Sequence, residues 1–389
     1  MTRHSVASKA ADLVVVGSGI VGLGAAYAAV RRGLSVIVAD RTATPAGATI
    51  RNFGHLCVGA QTGLAREFAD VARDIWLRLA ADAGFWMRES GTLIAARDAD
   101  ELAVLERAAS GGDVRMLSLE ELHHRAPLRA DAVVGGAHVD TDLQVNPREV
   151  AMTLVRHLIS LGVEFRFRTA VTAITATGLE SFRVETTRGT IDAGRVVVAT
   201  GHDIDQLLPE IAERVGIERC SLDMMRVTAT MPRMLEAPLL TGWSLLRYGR
   251  FADLPETIAL RERMHAERPD LAALDLNQMY TQLPDGSLIL GDSHARSIQP
   301  EPFQHEAAFE AFLAEARALL DVDGIRVIER WQGVYASGPD DFLLEEPEPG
   351  LHVIAATTGI GMTTGFGLAE RTLRSAIERA PQPALGGTS

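Results

Sequence analysis

The stretch Asp12-Leu-Val-Val-Val-Gly17-Ser-Gly19-Ile-Val-Gly22 constrains this chain more than any other. The apolar, β-branched run from Leu13 to Val16 reads as a buried strand, and Leu23 to Arg32 reads as a helix. Three glycines in G-x-G-x-x-G spacing join them. In that arrangement Gly17 makes the tight turn, Gly19 lets a pyrophosphate approach the backbone, and Gly22 lets helix and strand pack closely. The N-terminus of that helix then offers free N–H groups to negative charge. A second strand, starting at Leu34, ends at Asp40, where a carboxylate can accept hydrogen bonds from ribose hydroxyls. Strand, helix, second strand and terminal acid, in that order, predict a dinucleotide site.

Two further glycine-punctuated strands decide which dinucleotide. Arg195-Val-Val-Val-Ala-Thr200-Gly201 places bare backbone beside the first site, a pairing that resembles two-dinucleotide-binding-domain flavoproteins. Near the end, Gly350-Leu-His-Val-Ile-Ala-Ala-Thr-Thr-Gly359-Ile-Gly361-Met362-Thr363-Thr364-Gly365 reads as strand, turn and helix. A helix N-terminus there can aim amide donors at negative charge developing on a flavin ring. A nicotinamide dehydrogenase has no need of this last element, so the three together point to FAD. A protein that binds NAD, or binds FAD without catalysis, is the competing class.

The chain has 389 residues, enough for two domains. Its formal charge of −13 and the lack of a basic stripe argue against nucleic acid as a partner. Lys9 is the only lysine, so every other fixed cation is arginine. Cys57 and Cys220 read as free thiols rather than a disulfide framework or a metal motif. No metal is expected. No run is long and apolar enough to span a membrane, and a cytoplasmic location is the expectation.

Blocks of strand–helix alternation are interrupted by antiparallel-looking strands at Met225–Met231, Asn277–Gln282 and Ser287–Leu290. The expected class is therefore α/β (α+β overall): a Rossmann-like FAD-binding domain from 10–88, 141–220 and 326–381, interleaved with an antiparallel-sheet substrate-binding domain from 89–140 and 221–325. Residues 1–9 and 382–389 are expected to be tails. A helix is expected over 62–88, a strand over 132–140 and a helix over 303–320. Asp98 is expected to cap a helix, as is Asn146 with Pro147 at the first helical position.

From Thr49-Ile-Arg51-Asn52-Phe53-Gly54 onward, the layout resembles the D-amino-acid oxidase, glycine oxidase and sarcosine oxidase superfamily of FAD enzymes, over nearly the full chain. Ile50–Gly54, Leu290-Gly-Asp-Ser-His294 and Arg330-Trp-Gln-Gly333-Val-Tyr335 resemble, more narrowly, the branch found alongside phosphonate-degradation genes. The resemblance implies oxidation of a C–N bond by hydride transfer to flavin, giving an imine that hydrolyses. The branch implies 2-aminoethylphosphonate or an N-alkyl derivative as substrate. Glycine, sarcosine or a D-amino acid is the alternative on the same scaffold. The electron acceptor is O2 or another oxidant.

The residues suit this chemistry. An anionic amine needs a fixed cation, and a guanidinium binds phosphonate or carboxylate through two parallel hydrogen bonds. Arg51 is the candidate for that role or for a cofactor contact. His55, His294 and Tyr335 are candidates to face the same cavity, against plain packing roles for each. Arg41, Thr49, Asn52, Val171, Thr200, Gly201, Gly333, Gly359, Gly361, Met362, Thr363 and Thr364 join the glycine loop and Asp40 as cofactor-side candidates. Tyr335 is expected in a turn. Monomeric sarcosine oxidases attach FAD through a cysteine in the C-terminal half. This chain has none after Cys220, so its FAD is expected to be non-covalent. Those enzymes also use a lysine above the flavin, which is missing here.

Overall fold

The structure, a computed structural model, describes residues 10–378. The expected tails lie outside the described residues. The Ala10–Val16 strand lies between Val36–Ala39 and Gly189–Val198, parallel to both. Glu164–Arg166 extends this block on one side and Leu351–Thr358 on the other, again in parallel. A parallel sheet must be covered on both faces, which explains why Leu13 to Val16 is apolar without alternation and buried throughout. Leu13 and Val15 pack among the helices Ile20–Val30, Gly63–Ala83 and Gly361–Glu378. Val14 and Val16 face the other way, against Phe182, Val184 and Ile191 of an antiparallel hairpin and against Ile204 and Ile211. Ile20–Val30 is apolar on nearly all sides because it is buried on nearly all sides.

The second block is antiparallel. Glu218–Thr230 pairs with Leu288–Gly291, which pairs with Met279–Gln282. On its other edge Glu218–Thr230 pairs with Asp323–Glu348, a strand of 26 residues. That strand joins the blocks: Asp323 to Ser337 pair with Glu218–Thr230, and Phe342 to Glu348 pair with Leu351–Thr358. Parallel and antiparallel strands thus form one continuous sheet, and the α/β expectation holds.

Several local expectations hold as well. The Asp98 carboxylate accepts from the N–H groups of Asp100 and Glu101, and the Asn146 side chain accepts from Arg148 N above a helix that starts at Pro147. Others need correction. The helix expected over 62–88 ends at Ala83, because Gly84 takes φ 71° and turns the chain into a short strand, Met87–Arg88. The strand expected over 132–140 spans Gly135–Val139, and the helix expected over 303–320 spans Glu306–Leu319. Tyr335 lies within the long strand, not in a turn. Met362 to Thr364 form the first turn of the last helix. Four helices between Gly242 and Ala273 escaped the sequence reading; three of them span five residues or fewer, too short to show a period.

Candidate active site

A cavity of about 920 Å³ runs from the glycine loop to the antiparallel strands. At the loop end, Gly17 has φ 102°, and a Cβ there would lie 2.6 Å from Ala199 O. A Cβ on Gly22 would lie 2.1 Å from Gly17 O. Both glycines are demanded by the chain's own packing. Gly19 is different: its backbone is extended (φ −68°, ψ 174°), and a Cβ would meet nothing nearer than Thr49 Oγ1 at 3.5 Å. The chain leaves this position bare without needing to. Thr49 Oγ1 accepts from Ile20 N at 2.8 Å, capping the helix. The buried Thr200 Oγ1 has no partner, and Gly201 (φ 62°) carries the chain past it.

Asp40 is more occupied than the sequence suggests. Its Oδ2 accepts from Ser18 N (2.7 Å) and Ser18 Oγ (2.6 Å). Its Oδ1 accepts from Thr42 N (2.8 Å) and Thr42 Oγ1 (2.6 Å). The carboxylate therefore ties the loop after the second strand to the glycine turn. Arg41 pairs with Asp203.

The other end of the cavity is polar, and within it the Asp292 and His294 side chains are buried. Arg247 and Arg296 both hold the Asp275 carboxylate, at 2.8 and 2.9 Å. His294 Nδ1 donates to Asp275 O at 3.0 Å. Asp292 Oδ1 accepts from Asn277 Nδ2 at 3.0 Å. Burial pushes the Asp292 carboxyl up to about 7, while burial and the nearby Arg247 charge push His294 down to about 3. Tyr335 and His294 meet in a T-shaped contact, centroids 6.4 Å apart, and Tyr335 packs over Gly359. Burial drives the Tyr335 phenol far above its ordinary range. Arg51 also lines the cavity. Its Nη1 lies 3.3 Å from Gln332 O, and it has no carboxylate partner among the described residues.

The FAD dependent oxidoreductase family (DAO) matches residues 12–374. The chain belongs to this FAD-dependent family. Glycine oxidase from Bacillus cereus shares its fold at TM-score 0.75 and 18% identity, with 95% of each chain covered. A dithionite-reduced L-α-glycerophosphate oxidase from Mycoplasma pneumoniae with FAD bound gives TM-score 0.74 at 17% identity, covering 95% of this chain and 94% of that one. A bifunctional ThiO/ThiG protein of Trichormus variabilis is 28% identical over 216 residues. That match spans 51% of this chain and only 32% of the relative's length.

The residues present fit FAD. The uncrowded Gly19, the extended turn at the N-terminus of the Ile20–Val30 helix and the unpartnered Thr200 hydroxyl form a cradle that a side chain would fill. Gly17, Gly19, Ile20, Asp40, Arg41, Thr49, Arg51, Asn52, Val171, Thr200, Gly201, Gly333, Gly359, Gly361, Met362 and Thr363 all line the one cavity, together with His55, His294 and Tyr335. Two candidates do not. Gly22 serves helix–strand packing, and the Thr364 hydroxyl donates to Ile360 O at 2.9 Å, at the residue that precedes its helix. Asn52 braces the loop before it, donating to Ala48 O and Thr49 O and accepting from Gly54 N. His55 Nε2 sits 2.6 Å from Thr92 Oγ1 and 3.3 Å from Asp142 Oδ2. His55, Cys57 and Asp142 bring possible metal ligands within 4.8 Å of one another, but both Asp142 oxygens already accept bonds from Gly59 N and Thr92 Oγ1.

The sequence reading missed Arg247, Asp275, Asn277, Asp292 and Arg296 as cavity residues. Asp292 carried the one available signal, since it stands two residues before His294 in a segment already singled out. Nothing local marks Arg247 or Asp275.

Among the described residues no helix is long and apolar enough to cross a membrane.

Proposed function

We propose that the protein oxidises the C–N bond of a small amine that carries an anionic group, with an aminoalkylphosphonate or its N-methyl form as the substrate. When bound, FAD supplies the two-electron acceptor for hydride from the carbon next to nitrogen. The protein's share is to bind, orient and keep the substrate dry. The observation that carries the reading is a cavity continuous with the glycine cradle whose far end holds guanidinium groups and a buried carboxylate–imidazole pair. Arg51, without a carboxylate partner, is suited to hold the substrate's anion. The three short segments around Arg51, His294 and Tyr335 favour phosphonate. The likeness to glycine oxidase favours an amino-acid carboxylate as the second reading. We further propose non-covalent FAD, O2 or another oxidant as electron acceptor, and a cytoplasmic location.

An anaerobic screen for flavin bleaching tests this. Aminoalkylphosphonates should bleach the bound flavin faster than glycine, sarcosine or D-amino acids of equal size. Bleaching by the amino acids alone would replace phosphonate with carboxylate. Bleaching by no amine would overturn the amine reading.

A further inference from the structure

We propose that Asp292 and His294 form the seat for the substrate's ammonium group, and that Asp292 Oδ2 takes the proton that must leave before hydride transfer. The proposal rests on the amine reading above and assigns that reaction a proton acceptor.

The argument starts from which atoms can donate. The oxygen of Asp275 that meets His294 Nδ1 at 3.0 Å belongs to a backbone carbonyl, which only accepts. Nδ1 therefore carries the ring hydrogen. A neutral imidazole has one such hydrogen, so Nε2 is left as an acceptor. Nε2 faces Asp292 Oδ2 at 3.6 Å. Asp292 is anchored elsewhere: Oδ1 accepts from Asn277 Nδ2, and its backbone N donates to Asn277 O at 2.6 Å. Oδ2 is thus held in place, and no side chain among the described residues donates a hydrogen bond to it. The two side chains are only 4% and 7% exposed, and both residues line the cavity.

Two acceptors facing each other in a buried site are unfavourable unless a hydrogen lies between them. With Asp292 protonated, its O–H supplies that hydrogen. With Asp292 ionised, a group bearing at least two N–H bonds satisfies both atoms at once, and an ammonium does so with charge complementarity. A phosphonate or carboxylate cannot sit there.

The proton step balances simply. One ammonium N–H bond breaks, its electron pair stays on nitrogen, and the proton forms an O–H bond with Oδ2. Asp292 becomes a neutral acid hydrogen-bonded to His294 Nε2, and the amine becomes the neutral species that hydride transfer requires. No electrons are exchanged. The groups that surround the pair are Arg247 and Tyr248 from the helical segment, Asp275, Arg296, and Tyr335 and Cys220 from the central strands. The carboxyl, held near 7, is neutral or ionised within the ordinary working range, as a proton acceptor needs to be.

The test uses the FAD-loaded enzyme and the best amine from the screen. Asp292→Asn keeps an oxygen to accept from Asn277 and removes the basic oxygen. In the native enzyme, anaerobic flavin reduction should rise with pH through about 7 and level off. In Asp292→Asn it should be at least about 100-fold slower at pH 7.5, then climb tenfold per pH unit towards the native rate as the free amine itself loses its proton. A binding measurement stands beside it. An amine with no hydrogen on the carbon bonded to nitrogen, 2-amino-2-methylpropylphosphonate or 2-aminoisobutyrate according to the anion class oxidised, should bind at least about tenfold more weakly to the variant at pH 7.5. Methylphosphonate or acetate should bind both proteins alike. A rate loss that is the same at every pH, or unchanged affinity for the unreactive amine, would overturn the proposal while leaving the amine reading intact. Should Asp292→Asn fail to hold FAD, His294→Asn takes its place. It keeps a donor for the Asp275 carbonyl and loses Nε2, so unchanged affinity for the unreactive amine would again overturn the proposal.

Discussion

Gly19 and Gly22 sit three residues apart in one motif, and the structure predicts opposite consequences for filling them. At Gly19 the backbone suits any L-residue, and the nearest atom to an added Cβ is Thr49 Oγ1 at 3.5 Å, ordinary van der Waals contact. Gly19→Ala should therefore fold, and the apoprotein should gain about 0.4–1 kcal/mol because the unfolded chain loses freedom. The new methyl, however, would occupy the open surface at which we place the pyrophosphate. Losing two charge-assisted N–H contacts at about 1.5–3 kcal/mol each gives about 3–6 kcal/mol, a rise in Kd for FAD of roughly 10²- to 10⁴-fold. At Gly22 the added Cβ would lie 2.1 Å from Gly17 O, a contact that no rotamer relieves. Gly22→Ala should cost the apoprotein about 1–3 kcal/mol or more through forced backbone shifts. The assay is a thermal melt of flavin-stripped protein together with a fluorescence titration of FAD. If Gly19→Ala binds FAD as tightly as the native protein, the pyrophosphate does not cross Gly19. If both variants lose stability equally, the division between ligand space and packing space is wrong.

Acid precipitation should release yellow flavin into the supernatant; colour retained by the washed precipitate would show a covalent link. Arg51→Lys should slow flavin reduction by the anionic amine by roughly 30- to 1000-fold, with the flavin still bound, because a point charge replaces a planar fork; equal rates would move the anion to another guanidinium. Asp40→Ala should lower the melting temperature of the apoprotein as well as FAD affinity, since the carboxylate receives bonds from Ser18 and Thr42; an unchanged apoprotein would show that those bonds carry no stability. Glu101 is buried and its carboxyl is raised to about 7, so its contribution to stability is whole below its ordinary value and is lost as pH rises through about 7. Glu101→Gln keeps an acceptor for Arg97 N, and its stability relative to the native protein should rise by about 2.5 kcal/mol between pH 5 and pH 8, read from urea melts; a gap independent of pH would refute the raised carboxyl.

The parallel block with its glycine turn was legible because its information is local. Leu13 to Val16, the glycine spacing, Asn146 with Pro147, and the strand–turn–helix after Gly350 each signal their structure within a few residues, through backbone preference and burial period. The antiparallel block was legible only in outline. Its strands showed as short apolar runs, but their union with the parallel block depends on the single strand Asp323–Glu348, whose two ends pair with different neighbours. Three of the short helices between Gly242 and Ala273 hold less than two turns and owe their existence to what they pack against. The polar end of the cavity is the clearest case. Arg247, Asp275 and the Asp292–His294 pair come from three separate segments, and what each contributes follows from its neighbours. A carbonyl of Asp275 decides the tautomer of His294, and burial decides the charge of Asp292. Residue types along the chain specify which groups are available, whereas their protonation and partners arise only when the fold removes water and brings distant segments within a few ångströms.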